Sequence, residues 1–476
     1  MSEFSDLCRD YIKISRTNVY QIAKKSNLDR TMLQKMINGS RLPSEEFFTK
    51  FLTYLSINKD EQQNLIKLYQ IERIGRPIYE RRLAIQNMLN SFEFKRREIL
   101  SDQQASIITG TFVMNEKVEE IENDTDVYHA LQMVIKYEYD YEDEIRVYFN
   151  SFERSRNVHH ALIRSLKKTG KSGNVSQFIT FSRFNNANDS DIKNIDNLGQ
   201  LLPFIFTYND YCQVYYTYDD ATHLTQRLWP FFLVTHNHVL LLSNEQTRGI
   251  LIHDRNVASL YAREIDQLKS KNRILTDVSR DDKKSLQTFN DFARTHRLLL
   301  SYETIPCISD LVMPMYERVK DDYPVLANYL EGASDVYANV SPHDYISIQG
   351  LSGMKDFIEK GVLPELFGDI SPTFTPEERL EMLRHYLSII DKFDDYHVCR
   401  LGVIGSASGL AVELYENDVI VMTSMKKDPP LRFVFFQEPI IYQEFYDYFT
   451  SLIDQEHVYT NEELRRDIKS MVDDYM

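Results

Sequence analysis

The sequence predicts a multidomain chain in which a small all-α head is followed by two related α/β (α+β) modules. Three observations predict it. The first 75 residues carry short helical patterns punctuated by capping residues, and the remainder mixes apolar runs with amphipathic stretches. Two stretches of that remainder, about 180 residues apart, can also be laid over one another. Length agrees, since 476 residues exceed one ordinary core at ~100 to 200 residues per domain. The expected units are a head at 1–75, a linker or dimerisation helix at 76–100, module one at 101–275 and module two at 280–476.

Composition narrows the class. With 43% hydrophobic and 26% charged residues and only 15 Gly and 14 Pro, the chain reads as folded rather than disordered. No run approaches the ~18 apolar residues of a membrane span, and Glu3, Asp6 and Asp10 leave no room for a signal peptide, so a cytoplasmic protein that does not engage membranes is expected. Cys8, Cys212, Cys307 and Cys399 are too scattered for a zinc ribbon or a disulfide framework and read as buried thiols. The net charge of −16 is unevenly spread: residues 1–100 hold 18 Lys and Arg against 12 Asp and Glu, leaving 37 against 59 for the rest. A polyanion is therefore expected at the N-terminal end alone.

Between Asn18 and Ser44 two short helical patterns flank a turn, the arrangement of a helix-turn-helix. Ile22 and the small Ala23 face inward where a second helix must come close, Asn27 suits a left-handed turn position, Leu28 plugs the gap, and Asp29 caps the next helix. In that helix Leu33, Met36 and Ile37 form the apolar stripe, which leaves Arg30, Thr31, Gln34 and Lys35 outside. Arg suits guanine, Gln adenine and Thr the thymine methyl, and the major groove admits a helix carrying them. Gly39 ends the helix, and Ser40 and Arg41 follow where they can hold phosphate.

With Gln21, Ile22-Ala23, Leu28, Leu33, Asn38-Gly39, Arg41 and Pro43 in place, the segment resembles the Cro/CI-type (XRE) helix-turn-helix family. That resemblance implies base reading by Arg30, Thr31, Gln34 and Lys35, backbone contacts from Gln21 and Arg41, and a homodimer on double-stranded DNA. Two positions depart from the family pattern: Asn27 replaces the commoner glycine, and Ile37 a polar residue. A fourth helix capped by Ser44 carries Phe47, Phe48, Phe51, Leu52 and Leu55, and a fifth from near Asp60 buries Leu65, Leu68 and Tyr69 and stops at Gly75. Beyond Pro77 a sixth carries Ile78, Leu83, Ile85, Met88 and Leu89, with Arg81, Arg82, Lys95, Arg96 and Arg97 as further candidates for phosphate.

In module one the patterns predict helices over Val127 to Glu138 and Asn157 to Lys168, strands near 145–152 and 177–182, and a loop from Asn185 to Asn194. Module two is expected to hold helices near Lys283 to Arg297, Met313 to Tyr329 and Pro376 to Phe393. The overlay sets Thr235 to Asn244 on Tyr415 to Ser424, with Asn237 and Asn417 at one turn position. Each copy then leads through a strand, near Gly249 to Ile252 and Leu431 to Phe436, into an amphipathic helix.

Catalytic signatures are missing: there is no phosphate-binding glycine loop, no Gly-x-Ser-x-Gly, no His-Glu-x-x-His and no His-x-Lys of phospholipase-D-like enzymes. His159-His160 diverge on a helix, and His236 with His238 lacks a third ligand, so no enzyme activity, cofactor or metal is expected. The expectation is a one-component transcriptional regulator whose distal modules sense a small-molecule or peptide effector or oligomerise. The alternatives are a head fused to a protein-interaction or enzymatic region, or a peptide-pheromone receptor with tandem helical repeats.

Overall fold

The computed structural model describes residues 2–100, 116–151, 155–171, 173–181, 192–208, 212–218, 229–275, 282–303, 316–324, 326–328, 330–332, 345–362, 372–390, 396–399, 409–424, 433–453 and 458–475. They form two compact units, the first built on Met1–Leu83 and the second on Ala84–Arg183 with Lys193–Met476.

The first unit holds α1 (Glu3–Ile14), α2 (Val19–Ser26), α3 (Arg30–Ile37), α4 (Glu45–Leu52) and α5 (Lys59–Ile74). Each starts on a side-chain cap: Ser2, Asn18, Asp29, Ser44 and Asn58 accept from the backbone N–H three residues on. Such caps stabilise a helix by ~1 kcal/mol apiece, which matters most for the eight-residue helices α2, α3 and α4. The core between them contains Phe4, Cys8, Ile22, Leu33, Met36, Phe51, Leu65 and Tyr69. Gly75, at φ 86°, ends α5 in a conformation an L side chain resists.

The long helix α6 (Arg76–Leu100) takes Pro77 in its first turn, where no amide donor is needed. It buries Ile85, Met88, Leu89 and Phe92. Leu83 is 36% exposed, because the inward stripe runs one position later, from Ala84. Arg96 is buried and donates to Glu93 at 3.0 Å, and Arg97 donates to the same carboxylate at 2.9 Å. This pairing withdraws Arg96 from the set of phosphate candidates.

The second unit contains two mixed sheets. The first comprises β1 (Val118–Ile121), β2 (Ile145–Asn150), β3 (Gly173–Phe181), β4 (Cys212–Tyr218), β5 (Phe231–Val234), β6 (His238–Leu242), β7 (Gly249–His253) and β8 (Arg273–Ile274). Around it lie α7 (Asp124–Tyr141), α8 (Ser155–Thr169), α9 (Lys193–Tyr208) and α10 (Arg255–Lys269). Next in the chain come α11 (Asp282–Ala293), β9 (Leu298–Glu303), α12 (Tyr316–Val319), β10 (Ile346–Gly350), α13 (Leu351–Lys360), α14 (Pro376–Ile390) and β11 (Tyr396–Cys399). The chain closes with β12 (Leu410–Tyr415), β13 (Val419–Ser424), β14 (Phe433–Gln437), α15 (Pro439–Ile453), β15 (Val458–Tyr459) and α16 (Asn461–Tyr475).

The strand order is β1-β7-β6-β5-β2-β3-β4-β8 in one sheet and β14-β13-β12-β9-β10-β11-β15 in the other. Apart from β1, the two orders correspond strand for strand. Directions correspond as well: β2, β3 and β4 are parallel, as are β9, β10 and β11, and every other neighbouring pair is antiparallel.

The ungapped overlay of the two hairpins needs one correction. Thr235 N–H donates to the His238 carbonyl, closing a turn on His236 and Asn237, whereas Tyr415 pairs with Val419 around Glu416, Asn417 and Asp418. Asn417 and Asp418 both adopt positive φ, so Asn237 and Asn417 do not share a position. The extra residue shifts the following strand by one: Val239 packs with Ala258, Ala262 and Ile265 of α10, while Val419 and Val421 join Phe289 and Ala293 of α11. A slip of one residue turns every side chain to the other face.

Of the predicted 185–194 loop, 185–191 lie outside the described residues, and Lys193 and Asn194 begin α9. Met313 to Met315 of the expected 313–329 helix also lie outside them. Cys8 and Cys212 are buried free thiols; the side chains of Cys307 and Cys399 are not among those described. No described helix is long and apolar enough to cross a membrane.

Candidate nucleic-acid interface

The seven basic residues and single acid between Tyr11 and Ser44 make this the most one-sided stretch of the head. The fold exposes it. Lys24, Lys25, Arg30, Lys35 and Arg41 all lie on the surface, together with Thr31 and Gln34. On α3 the opposite stripe is sealed, with Leu33 at 0%, Met36 at 1% and Ile37 at 6% exposure. Ile37 thus extends the core, and its carbonyl accepts from Arg9 Nε of α1 at 3.3 Å, which ties the end of α3 down.

Local chemistry sets the approach of α3 to α2. Asn27 takes φ 55° in the left-handed region, and Asp29 Oδ1 accepts from Met32 N–H at 2.6 Å, so one helix stops and the next starts within three residues. Leu28 is partly buried against the same core, in the plug position. Tyr69 of α5 donates its buried hydroxyl to the Pro43 carbonyl at 2.9 Å and stacks on Phe48, with ring centroids 4.2 Å apart. That contact fixes the segment carrying Ser40 and Arg41. Replacing Tyr69 by Phe is expected to lower stability by about 1 kcal/mol, read as a shift of the urea midpoint at constant slope.

The seven expected contact residues are not equivalent. Arg30, Thr31, Gln34 and Lys35 share the exposed side of α3, where Gln34 makes only a 3.5 Å contact to Asn38. Gln21 accepts from Thr17 Oγ1 at 3.3 Å, and its own amide NH2 has no acceptor among the described residues. Arg41 is exposed. Ser40 differs: its hydroxyl donates to the Lys35 carbonyl at 3.1 Å and its N–H to the same oxygen at 2.9 Å, so both donors serve the end of α3. Holding phosphate would take the exposed Ser40 hydroxyl turning away from the Lys35 carbonyl.

One residue escaped the sequence reading. The Arg30 guanidinium lies 5.7 Å from the ring centroid of Tyr20, a 58% exposed side chain at the start of α2. The face of an aromatic ring attracts a cation, so Tyr20 steadies Arg30 at the first turn of α3. The sequence signal was an aromatic residue at a position that the buried stripe of α2 does not use.

The histidines singled out from sequence go elsewhere. His159 is wholly buried on α8. His236 Nδ1 lies 2.5 Å from Glu138 of α7, while His238 Nε2 meets His253 Nδ1 at 2.8 Å across the β6–β7 pair. Among the described residues no three His, Cys, Asp or Glu side chains converge as metal ligands.

No family model matches the chain, and no curated protein matches it. Among solved structures, one described as "TrmBL2, an archaeal chromatin protein" with "a novel mode of DNA binding" is similar at 11% identity and a TM-score of 0.23, covering 57% of this chain and 94% of that one. The polyphosphate kinase from Porphyromonas gingivalis is similar at 11% identity and a TM-score of 0.21, covering 75% of this chain and 55% of that one. At these values neither likeness assigns the chain to a family.

Proposed function

We propose that the chain is a sequence-specific DNA-binding transcriptional regulator that reads its operator with α3. The observation that carries this reading is the two-sidedness of α3. Leu33, Met36 and Ile37 seal one side, and Arg30, Thr31, Gln34 and Lys35 stand exposed on the other within a basic surface. Arg donates to the paired acceptors of guanine, Gln donates to and accepts from adenine in the major groove, and the surrounding charges meet phosphate. One such head covers only a few base pairs, so a homodimer on a two-fold operator supplies the affinity.

The acidic charge of the remainder suits it to signal sensing or oligomerisation rather than to DNA contact, and its two sheets are alike in strand order and direction. They favour this reading over a peptide-pheromone receptor, whose distal part would consist of tandem helical repeats. The test is a nuclease footprint of the intact protein on DNA from its own upstream region. Two protected half-sites, one or more helical turns apart, are expected; a monomer protecting a single half-site overturns the dimer, and no protection at all overturns DNA reading.

A further inference from the structure

The helix α6 has two opposite stripes. Ile85, Met88, Leu89 and Phe92 bury the first, with Phe92 edge-on to Phe206 of α9 at a ring-centroid distance of 5.5 Å and the Lys95 ammonium donating to the Gly199 carbonyl at 3.4 Å. These contacts seat the helix against α9. The second stripe consists of Glu80, Leu83, Asn87, Asn90, Phe94 and Arg97, alternately three and four residues apart. At about 100° per residue, all six fall within an arc of roughly 100° on the side away from the buried stripe. Leu83, Asn87, Asn90, Phe94 and Arg97 are exposed and Glu80 is half-buried, with Phe94 at 71% exposure.

Alternating spacings of three and four make the 3.5-residue repeat of a helix that packs lengthwise on another helix. One exposed phenylalanine calls for no partner, but the order of this stripe does. Taken from its midpoint between Met88 and Leu89, the stripe is complementary to itself reversed. A second copy related by a two-fold axis, with the helices antiparallel, sets Glu80 against Arg97, Leu83 against Phe94 and Asn87 against Asn90, each pair occurring twice. Opposite charges then close both ends, an apolar layer lies inside each, and side-chain amides meet at the centre. Amides paired across such a seam fix its register, because a slip leaves them unpaired. A parallel arrangement would instead set Glu80 on Glu80 and Arg97 on Arg97, like charge on like. Within the chain Arg97 donates to Glu93 at 2.9 Å, and Glu80 faces Arg76 at 3.8 Å. Neither pair prevents the cross-pair, since a guanidinium carries five donors and a carboxylate accepts several.

We propose that α6 pairs antiparallel with α6 of a second copy of this chain through the Glu80-to-Arg97 stripe, along about 25 Å of helix. The charge order selects the occupant: a stripe that complements its own reversal is matched best by a second copy. The pairing gives the homodimer of the regulator reading its surface, and it rests on that reading for the number of copies. DNA contact is no part of it.

The experiment is sedimentation equilibrium of the full chain without DNA, which gives the dimer dissociation constant. Wild type is compared with Phe94→Glu, Glu80→Arg, Arg97→Glu and the double variant Glu80→Arg with Arg97→Glu. Circular dichroism establishes that each variant is folded. The expected result is a wild-type dimer at micromolar concentration, weakened about tenfold or more by Phe94→Glu and by either single charge reversal. Exchanging both charges is expected to restore the wild-type constant. Wild type that stays monomeric up to on the order of 100 μM, or folded variants that dimerise as tightly as wild type, overturns the proposal. Weakening by the single reversals without recovery in the double variant overturns the antiparallel register. A dimer that follows this pattern and yet protects no DNA supports the pairing and overturns the DNA reading alone, so the two failures are told apart.

Discussion

Acidification from pH 7 to pH 4 is expected to weaken module one by several kcal/mol, chiefly through His159. This imidazole is fully buried on α8, stacked on Phe204 with ring centroids 3.9 Å apart, and its Nε2 lies 3.0 Å from Gln177 Oε1. Burial pulls its pKa down to about 3, against the raising effect of Gln177 and with a further lowering from His160. An unfolded histidine takes up its proton near pH 6.5. The unfolded chain therefore binds the proton first as the pH falls, and the stability contributed by neutral His159 is complete above pH 6.5 and lost progressively toward pH 3. At pH 4 the loss is on the order of 3 kcal/mol, at 1.36 kcal/mol per pH unit. His238 acts in the same direction, held to about 4 by burial and by the neighbouring His253. Urea unfolding at pH 7, 5.5 and 4 checks this: His159→Gln is expected to flatten the decline relative to wild type, and parallel declines would remove His159 from the account.

The second large effect is expected at α3. Arg30→Ala and Gln34→Ala should each cost about 1 to 3 kcal/mol of operator binding and relax the preference at one base pair, whereas Lys35→Ala and Arg41→Ala should weaken all sequences alike. Arg30→Ala also discards the contact with Tyr20, so Tyr20→Ala should reproduce part of its loss. Competition binding against single-base-pair operator variants separates the two classes. An Arg30→Ala protein with wild-type preference at every position would place base reading elsewhere.

The head was legible because its determinants are local. Asp29, Asn27 and the Leu33-Met36-Ile37 stripe act within a few residues of one another, and each takes its expected place. Ile37, a departure from the family pattern, is absorbed into the core. Ser40 is less local, since its hydroxyl donates to the Lys35 carbonyl in this arrangement. Of the parallel strands, β2 and β3 overlap those expected near 145–152 and 177–182, whereas β9, Leu298–Glu303, escaped notice because it abuts a helix without a turn signal. Hairpin register was off by one because Asn237 has the same tolerance for the left-handed region as Asn417, and the sequence does not show that Asn417 and Asp418, but not Asn237, take positive φ.

The affinity of the intact protein for DNA from its own upstream region, measured at two salt concentrations, tests the central claim most directly. A basic surface that displaces counterions from phosphate gives binding that falls by orders of magnitude between about 50 and 200 mM salt, with preference over unrelated DNA retained. Binding that is absent at both salts, or equal on every sequence, would contradict the reading of α3 as a helix that recognises bases.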